Sequence, residues 1–207
     1  MTRRSIQIVE NFYPRPDRIR RKALEMPYSE PEGLTGWRTC PYQPRIIQNL
    51  IEKRFSTRIT HWEDDLEDVE LSNGVFFSAF ARGRRAETVG IHFDEPASWM
   101  MLLVYLTPNA PFNAGTSLWQ HRETRLIAIP TKKDAERLGS TVAKLKERLL
   151  DEGDNPKRWI EIDRIGNIYN RALMFPGALL HSATRHFGSN RFNGRLYQAF
   201  HFPIKAG

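Results

Sequence analysis

The stretch Val89-Gly90-Ile91-His92-Phe93-Asp94-Glu95-Pro96 carries a histidine and an aspartate two residues apart. In an extended segment residues i and i+2 share a face, so the His92 imidazole and the Asp94 carboxylate converge while Phe93 turns away. Such a pair on its own is usually an ordinary hydrogen-bonded contact, and a cation held here needs a third ligand. His181 is the candidate, 181 − 94 = 87 residues later. It lies in Ala178-Leu179-Leu180-His181-Ser182-Ala183, a short β-like segment entered through a Pro176-Gly177 turn. Two histidines and a carboxylate with open coordination positions form the facial triad that holds non-haem Fe(II). The same donors also make a catalytic zinc site.

The order of parts around these residues narrows the choice. An apolar run, Trp99 to Leu106, follows the pair, then Gly115-Thr116-Ser117-Leu118, then Asn170 to Gly177, then His181. A last strand opens with an arginine, Gly194-Arg195-Leu196-Tyr197-Gln198-Ala199-Phe200-His201-Phe202. This succession resembles the Fe(II)/2-oxoglutarate-dependent dioxygenase superfamily, nearest to its prolyl-hydroxylase-like branch. The likeness spans residues 75 to 203, and Glu10-Asn11-Phe12-Tyr13-Pro14 is similar to an opening common in that branch.

Carried over residue by residue, the resemblance implies that His92, Asp94 and His181 ligate iron. Arg195 takes the place of the basic residue that binds the distal carboxylate of 2-oxoglutarate, with Tyr105 supporting the same carboxylate. Phe80 stands where several relatives have a cofactor-contacting tyrosine, which removes one hydrogen bond to the near end of the cosubstrate. Three protein ligands leave three positions, which the superfamily fills with 2-oxoglutarate and O2. Related halogenases have Gly or Ala at the carboxylate position, so Asp94 favours hydroxylation or a related oxidation. A second arginine, Arg191, lies 191 − 181 = 10 residues past His181, a spacing found in many relatives, but sits in a loop-like Gly/Ser/Asn context. Arg195 opens a strand, where a guanidinium can offer a carboxylate two parallel donors, and Tyr197 on the same face can add a hydroxyl.

A chain of 207 residues suits a single domain, 1–207, that buries about 70% of its unfolded surface. Its hydrophobic fraction of 40% and charged fraction of 27% are those of a globular protein. Cys40 is the only cysteine, so no intrachain disulfide forms. The N-terminus has no apolar segment behind its positive charge, and the run Trp99 to Leu106 is far short of the ~20 residues that span a bilayer. A cytoplasmic protein with no membrane role is expected. The net charge of +7 and pI near 9.7 raise the question of nucleic acid, with Arg82-Gly83-Arg84-Arg85 as its best footing. The basic residues are scattered among acidic ones, however, so a solvated basic surface is the favoured reading and an acidic small substrate a second outlet for the charge.

Helical spacing appears over Asp17–Met26, closed by Pro27, and over Arg45–Phe55. The acidic run at 63–70 lacks EF-hand spacing and reads as a solvated connection. From Gly74 the texture turns to strands: 75–80, 89–94, 98–106, 117–121, 159–162, 172–175, 178–182 and 195–202. One long helix, 134–150, interrupts them, with Leu138, Val142, Leu145 and Leu149 on one face. Helices first and short strands after suggest an α+β chain with a jelly roll. The resemblance makes this a cupin-like double-stranded β-helix over 74–203, buttressed by N-terminal helices within 1–70 and carrying one helical insertion.

The other histidines have weaker claims. His201 shares a face with Arg195 and Tyr197, yet reads better as a core histidine; His121 divides evenly between a substrate contact and a structural role; His61 and His186 read as solvated. Glu95 points away from Asp94 and is excluded as a ligand. Trp99 and Trp119 read as packing residues. The function expected is oxidation of a C–H bond of a small-molecule substrate using Fe(II), 2-oxoglutarate and O2. The alternatives are a non-catalytic β-helix binding protein and a nucleic-acid- or protein-modifying member of the superfamily. A zinc hydrolase leaves Arg195 and Tyr105 without a shared task.

Overall fold

The computed structural model describes residues 6–30, 36–64, 73–84 and 86–205. Among the described residues nine strands form two antiparallel sheets. The larger sheet has the order β1 (Gln7–Val9), β7 (Ala172–Pro176), β4 (Met100–Tyr105), β9 (Arg195–Phe202), β3 (Val75–Ala79), β2 (Trp37–Arg38). The smaller has β6 (Trp159–Ile165), β5 (Thr116–His121), β8 (His181–Ala183). The architecture is mixed helix and strand, mostly antiparallel, and jelly-roll-like.

Alternation along the strands sorts the core into layers. Leu102, Val104, Leu196, Phe200 and Phe202 face outward and pack with Phe12, Ala23, Ile47, Ile51 and Phe55. Those partners come from the N-terminal segment and the helices α1 (Pro16–Glu25) and α2 (Ile47–Phe55). The intervening residues Leu103, Leu173 and Phe175 turn inward and meet Leu118, Ile165 and Leu179 beside the smaller sheet. Covering both faces explains why β4 reads as a continuous apolar run. The N-terminal segment is anchored by a reciprocal pair: Tyr13 N donates to Asn170 Oδ1 at 2.8 Å and Asn170 Nδ2 donates to Tyr13 O at 2.9 Å.

Several expectations change. The helix expected over 134–150 is two, α3 (Lys132–Arg137) and α4 (Val142–Asp151). Gly139, at φ +58°, turns the chain after the first, and Thr141 caps the second by accepting from Lys144 N. Leu145 and Leu149 are buried as the stripe predicts. The strand expected over 89–94 reduces to a single bridge at His92, and that over 178–182 begins at His181. Residues before 70 do more than buttress, since β1 and β2 form both edges of the larger sheet. Arg82 and Arg84 are exposed, while Arg85 and residues 65–70 of the acidic run lie outside the described residues.

Candidate metal centre

His92 reaches the smaller sheet by pairing with β8. Its N–H donates to His181 O at 3.0 Å, and His181 N–H donates to His92 O at 2.8 Å. Asp94 is held next along the segment, its N–H donating to Gly177 O at 2.8 Å. Gly177 packs tightly here: a Cβ would lie 3.1 Å from Asp94 Cβ and 3.2 Å from His201 Nε2.

The ring orientations follow from two further bonds. His92 Nδ1 lies 3.0 Å from Gly90 O, and His181 Nδ1 lies 2.8 Å from Leu179 O. A carbonyl only accepts, so each Nδ1 carries the proton and each Nε2 presents a lone pair. Asp94 Oδ1 is 3.8 Å from His92 Nε2, and its Oδ2 is 3.4 Å from His181 Nε2. One donor atom from each of the three residues falls within 4.8 Å of the others. Burial, chiefly, pushes His181 down to about 4, which keeps it neutral and ready to ligate. Asp94 Oδ2 is buried with no hydrogen-bond partner. A buried carboxylate oxygen with no hydrogen bond, beside a lone-pair nitrogen, is costly by itself and satisfied by a cation.

These three residues line a cavity of about 1040 Å³ that also includes Thr116, His186, Arg195, Tyr197 and His201. Arg195 is only 2% exposed. Its Nη1 donates to Ala114 O at 2.8 Å and Gly115 O at 2.6 Å. Among the described residues no carboxylate pairs with it within 4.0 Å. Its guanidinium lies over the rings of Tyr197 (5.0 Å) and Tyr105 (5.3 Å). Tyr197 stacks on Phe77 at 5.2 Å, and Arg38 covers Phe77 at 4.7 Å. Alternating cations and rings thus fix Arg195 from Arg38 inward. Gly115, whose carbonyl accepts from Arg195, has no room for a side chain, because a Cβ would sit 1.8 Å from Ile165 O.

Sequence expectations therefore divide. His92, Asp94, His181, Arg195 and Tyr197 meet in the cavity. Tyr105 is fully buried behind it, its hydroxyl 2.7 Å from Thr116 Oγ1, so it reaches the cavity through Thr116. Phe80 packs edge-on against Trp37. Arg191 lies over Phe192 and outside the cavity lining. His121 is structural: fully buried, with Nε2 2.8 Å from Glu152 Oε2 and Nδ1 2.8 Å from Thr124 Oγ1. Two histidines need correction. His186 lines the cavity rather than standing in solvent, and burial followed by the nearby Arg195 pushes it down to about 4. His201 also lines the cavity, with a buried, unpartnered Nε2 instead of a satisfied core position. The alternation of β9 held the signal, since 195, 197, 199 and 201 share a face. Thr116 and Arg38 went unread because β5 shows its inner face only once paired and β2 has two residues.

A two-sheet antiparallel scaffold with two histidines and a carboxylate converging in its cavity is the class that fold and site define. The chain belongs to DUF6445, a family of unknown function, whose model matches residues 89–200 and so takes in all three converging residues. No curated protein matches the sequence. Among solved structures it is similar to HygX from Streptomyces hygroscopicus with nickel and 2-oxoglutarate bound (TM-score 0.53, 12% identity, 97% of this chain and 83% of that one). HygX with nickel, 2-oxoglutarate and hygromycin B bound gives TM-score 0.55 at 11% identity over the same shares. AviO1 from Streptomyces viridochromogenes Tue57 gives 0.49 at 11% identity, covering 99% of this chain and 92% of that one. The HygX likeness is one of fold, and it agrees with the jelly-roll-like scaffold that the resemblance implies. Among the described residues no helix is long and apolar enough to cross a membrane.

Proposed function

We propose that the protein is an Fe(II)- and 2-oxoglutarate-dependent oxygenase, built as one double-stranded β-helix domain, that hydroxylates or otherwise oxidises a C–H bond of a small molecule. The observation that carries this reading is one cavity holding both a His92–Asp94–His181 cluster with free Nε2 atoms and a buried guanidinium, Arg195, that lacks a carboxylate. A zinc hydrolase explains the first and leaves the second idle. HygX, with nickel and 2-oxoglutarate bound in the same fold, supports the choice.

Bound iron, 2-oxoglutarate and O2 supply the oxidising chemistry, in which the oxo acid yields succinate and CO2 while oxygen enters the substrate. The chain's own work is placement. His92, Asp94 and His181 would hold the metal through the two Nε2 atoms and a carboxylate oxygen. Arg195 receives the distal carboxylate of 2-oxoglutarate, with the Thr116 hydroxyl beside it and Tyr105 orienting that hydroxyl from behind. Tyr197 and Phe77 wall the same side and limit water around the ion pair. Anaerobic titration of the apoprotein with Fe(II) and then 2-oxoglutarate tests this. A metal-to-ligand charge-transfer band in the visible range is expected, and its absence in protein that binds iron rules the reading out.

A further inference from the structure

The cavity mouth carries charge of the opposite sign to the chain. The sequence bears +7, yet apart from the metal-site residues and Arg195 the charged lining residues among those described are Glu30, Glu87, Glu95 and Asp154 against Arg38. Glu95 is engaged by Lys146 at 2.6 Å, which leaves three carboxylates to one guanidinium.

Two of these carboxylates flank the approach to His92. Glu87 lies five residues before it (92 − 87 = 5), held by its N–H donating to Phe80 O at 3.1 Å. It is half-buried; burial, the largest cause, and then Glu30 push its carboxyl up, while a hydrogen bond from the Trp37 backbone and the charge of Arg38 oppose the rise. Asp154 lies against Gly90, whose Cβ position is 3.2 Å from Asp154 Oδ1 and whose carbonyl orients the His92 ring. The cavity is a ligand site on independent grounds. The His181 side chain is 6% exposed, and its Nε2 has no hydrogen bond and faces the cavity.

An anion would meet repulsion here, and a neutral ligand would leave the excess negative charge of the mouth unanswered. An ammonium answers both carboxylates. The basic exterior repels cations elsewhere, so the acidic mouth is where a cation concentrates. A volume of about 1040 Å³ admits 2-oxoglutarate and a second molecule of comparable or larger size.

We infer that the substrate is an amine-bearing, cationic small molecule recognised by Glu87 and Asp154, an inference that rests on the oxygenase reading of the same cavity. It replaces the acidic substrate suggested by net charge, because that charge lies outside the mouth.

Calorimetric titration of the protein loaded with Ni(II) and 2-oxoglutarate tests it, using spermidine as the cationic probe and citrate as the anionic one. Spermidine is expected to bind the native protein and to bind the Glu87→Gln, Asp154→Asn double variant at least about tenfold more weakly, with no binding of citrate. No spermidine binding, equal binding by the variant, or preference for citrate overturns the inference. So does a variant that loses the Fe(II)–2-oxoglutarate band, since the two carboxylates would then belong to the cosubstrate site. The native protein's own band reports on the oxygenase reading separately, and spermidine titration of metal-free protein shows whether the mouth binds cations without it.

Discussion

His92 and His181 are joined backbone to backbone, each donating its N–H to the other's carbonyl, at 3.0 and 2.8 Å. Each ring also commits its Nδ1–H to the carbonyl two residues upstream, Gly90 in one case and Leu179 in the other. Two candidate ligands 89 residues apart (181 − 92 = 89) are therefore set by the same local geometry, and their ring centroids come to 4.5 Å.

Asp94→Ala should separate metal binding from folding. Its Oδ2 is buried and unpartnered, so the metal-free variant should melt no lower than the native protein. Its metal affinity should fall by more than the roughly tenfold to hundredfold cost of losing an outer hydrogen-bond partner. Thermal unfolding with and without Ni(II) measures both, and equal metal-induced stabilisation removes Asp94 from the ligand set. His181→Ala should lose metal likewise.

Arg195→Ala should weaken 2-oxoglutarate binding by roughly two to three orders of magnitude, from the ~3–5 kcal/mol lost when one partner of a buried charge pair is removed. Arg191→Ala should change it little, because Arg191 lies outside the cavity lining. Band titrations of both variants decide it; the reverse pattern would move the cosubstrate to the Arg191 loop.

Acid should destabilise the metal-free protein from pH 6.5 downward. His181 is shifted from its ordinary 6.5 to about 4 by burial, so the folded state keeps it neutral while the unfolded chain takes up a proton. The stability it contributes is present above 6.5 and is lost as pH falls towards 4. At about 1.4 kcal/mol per pH unit the whole displacement amounts to about 3 kcal/mol. His186, also at about 4, adds in the same direction. Denaturant midpoints across this range should fall less steeply in His181→Gln, and an unchanged slope would show that His181 titrates normally.

His121→Ala should cost about 3 kcal/mol of stability, by breaking the part-buried contact with Glu152, losing the edge contact with Trp159 at 5.0 Å and leaving a cavity. Its 2-oxoglutarate affinity should stay native. A selective loss of that affinity, with stability unchanged, would return His121 to the active site.

Zinc should occupy the site and silence it, having the affinity but no redox chemistry. Activity that survives full zinc replacement with iron chelated would point to hydrolysis.

The parts of the fold legible in the sequence are those where local pattern and tertiary role coincide. Helical spacing at 17–26 and 45–55 and alternation along 195–202 match α1, α2 and β9 closely. Where a segment's order depends on distant partners, local pattern misled: Gly139-Ser140-Thr141 divides an apolar stripe into α3 and α4, and 89–94 has strand-like texture but pairs only at His92.

By itself the sequence determined the candidate donor types, the i,i+2 spacing of His92 and Asp94 and the face they share, because side-chain direction in an extended chain is a local property. It also determined that Arg195 and Tyr197 look the same way. Only the tertiary structure decided what these faces surround. The His92–His181 bridge closes the site, the cation and ring stack holds Arg195, His186 and His201 turn into the cavity, and the mouth becomes acidic on a basic chain. Convergence and enclosure depend on contacts between residues far apart in the chain, and desolvation and field strength exist only once those contacts exclude water.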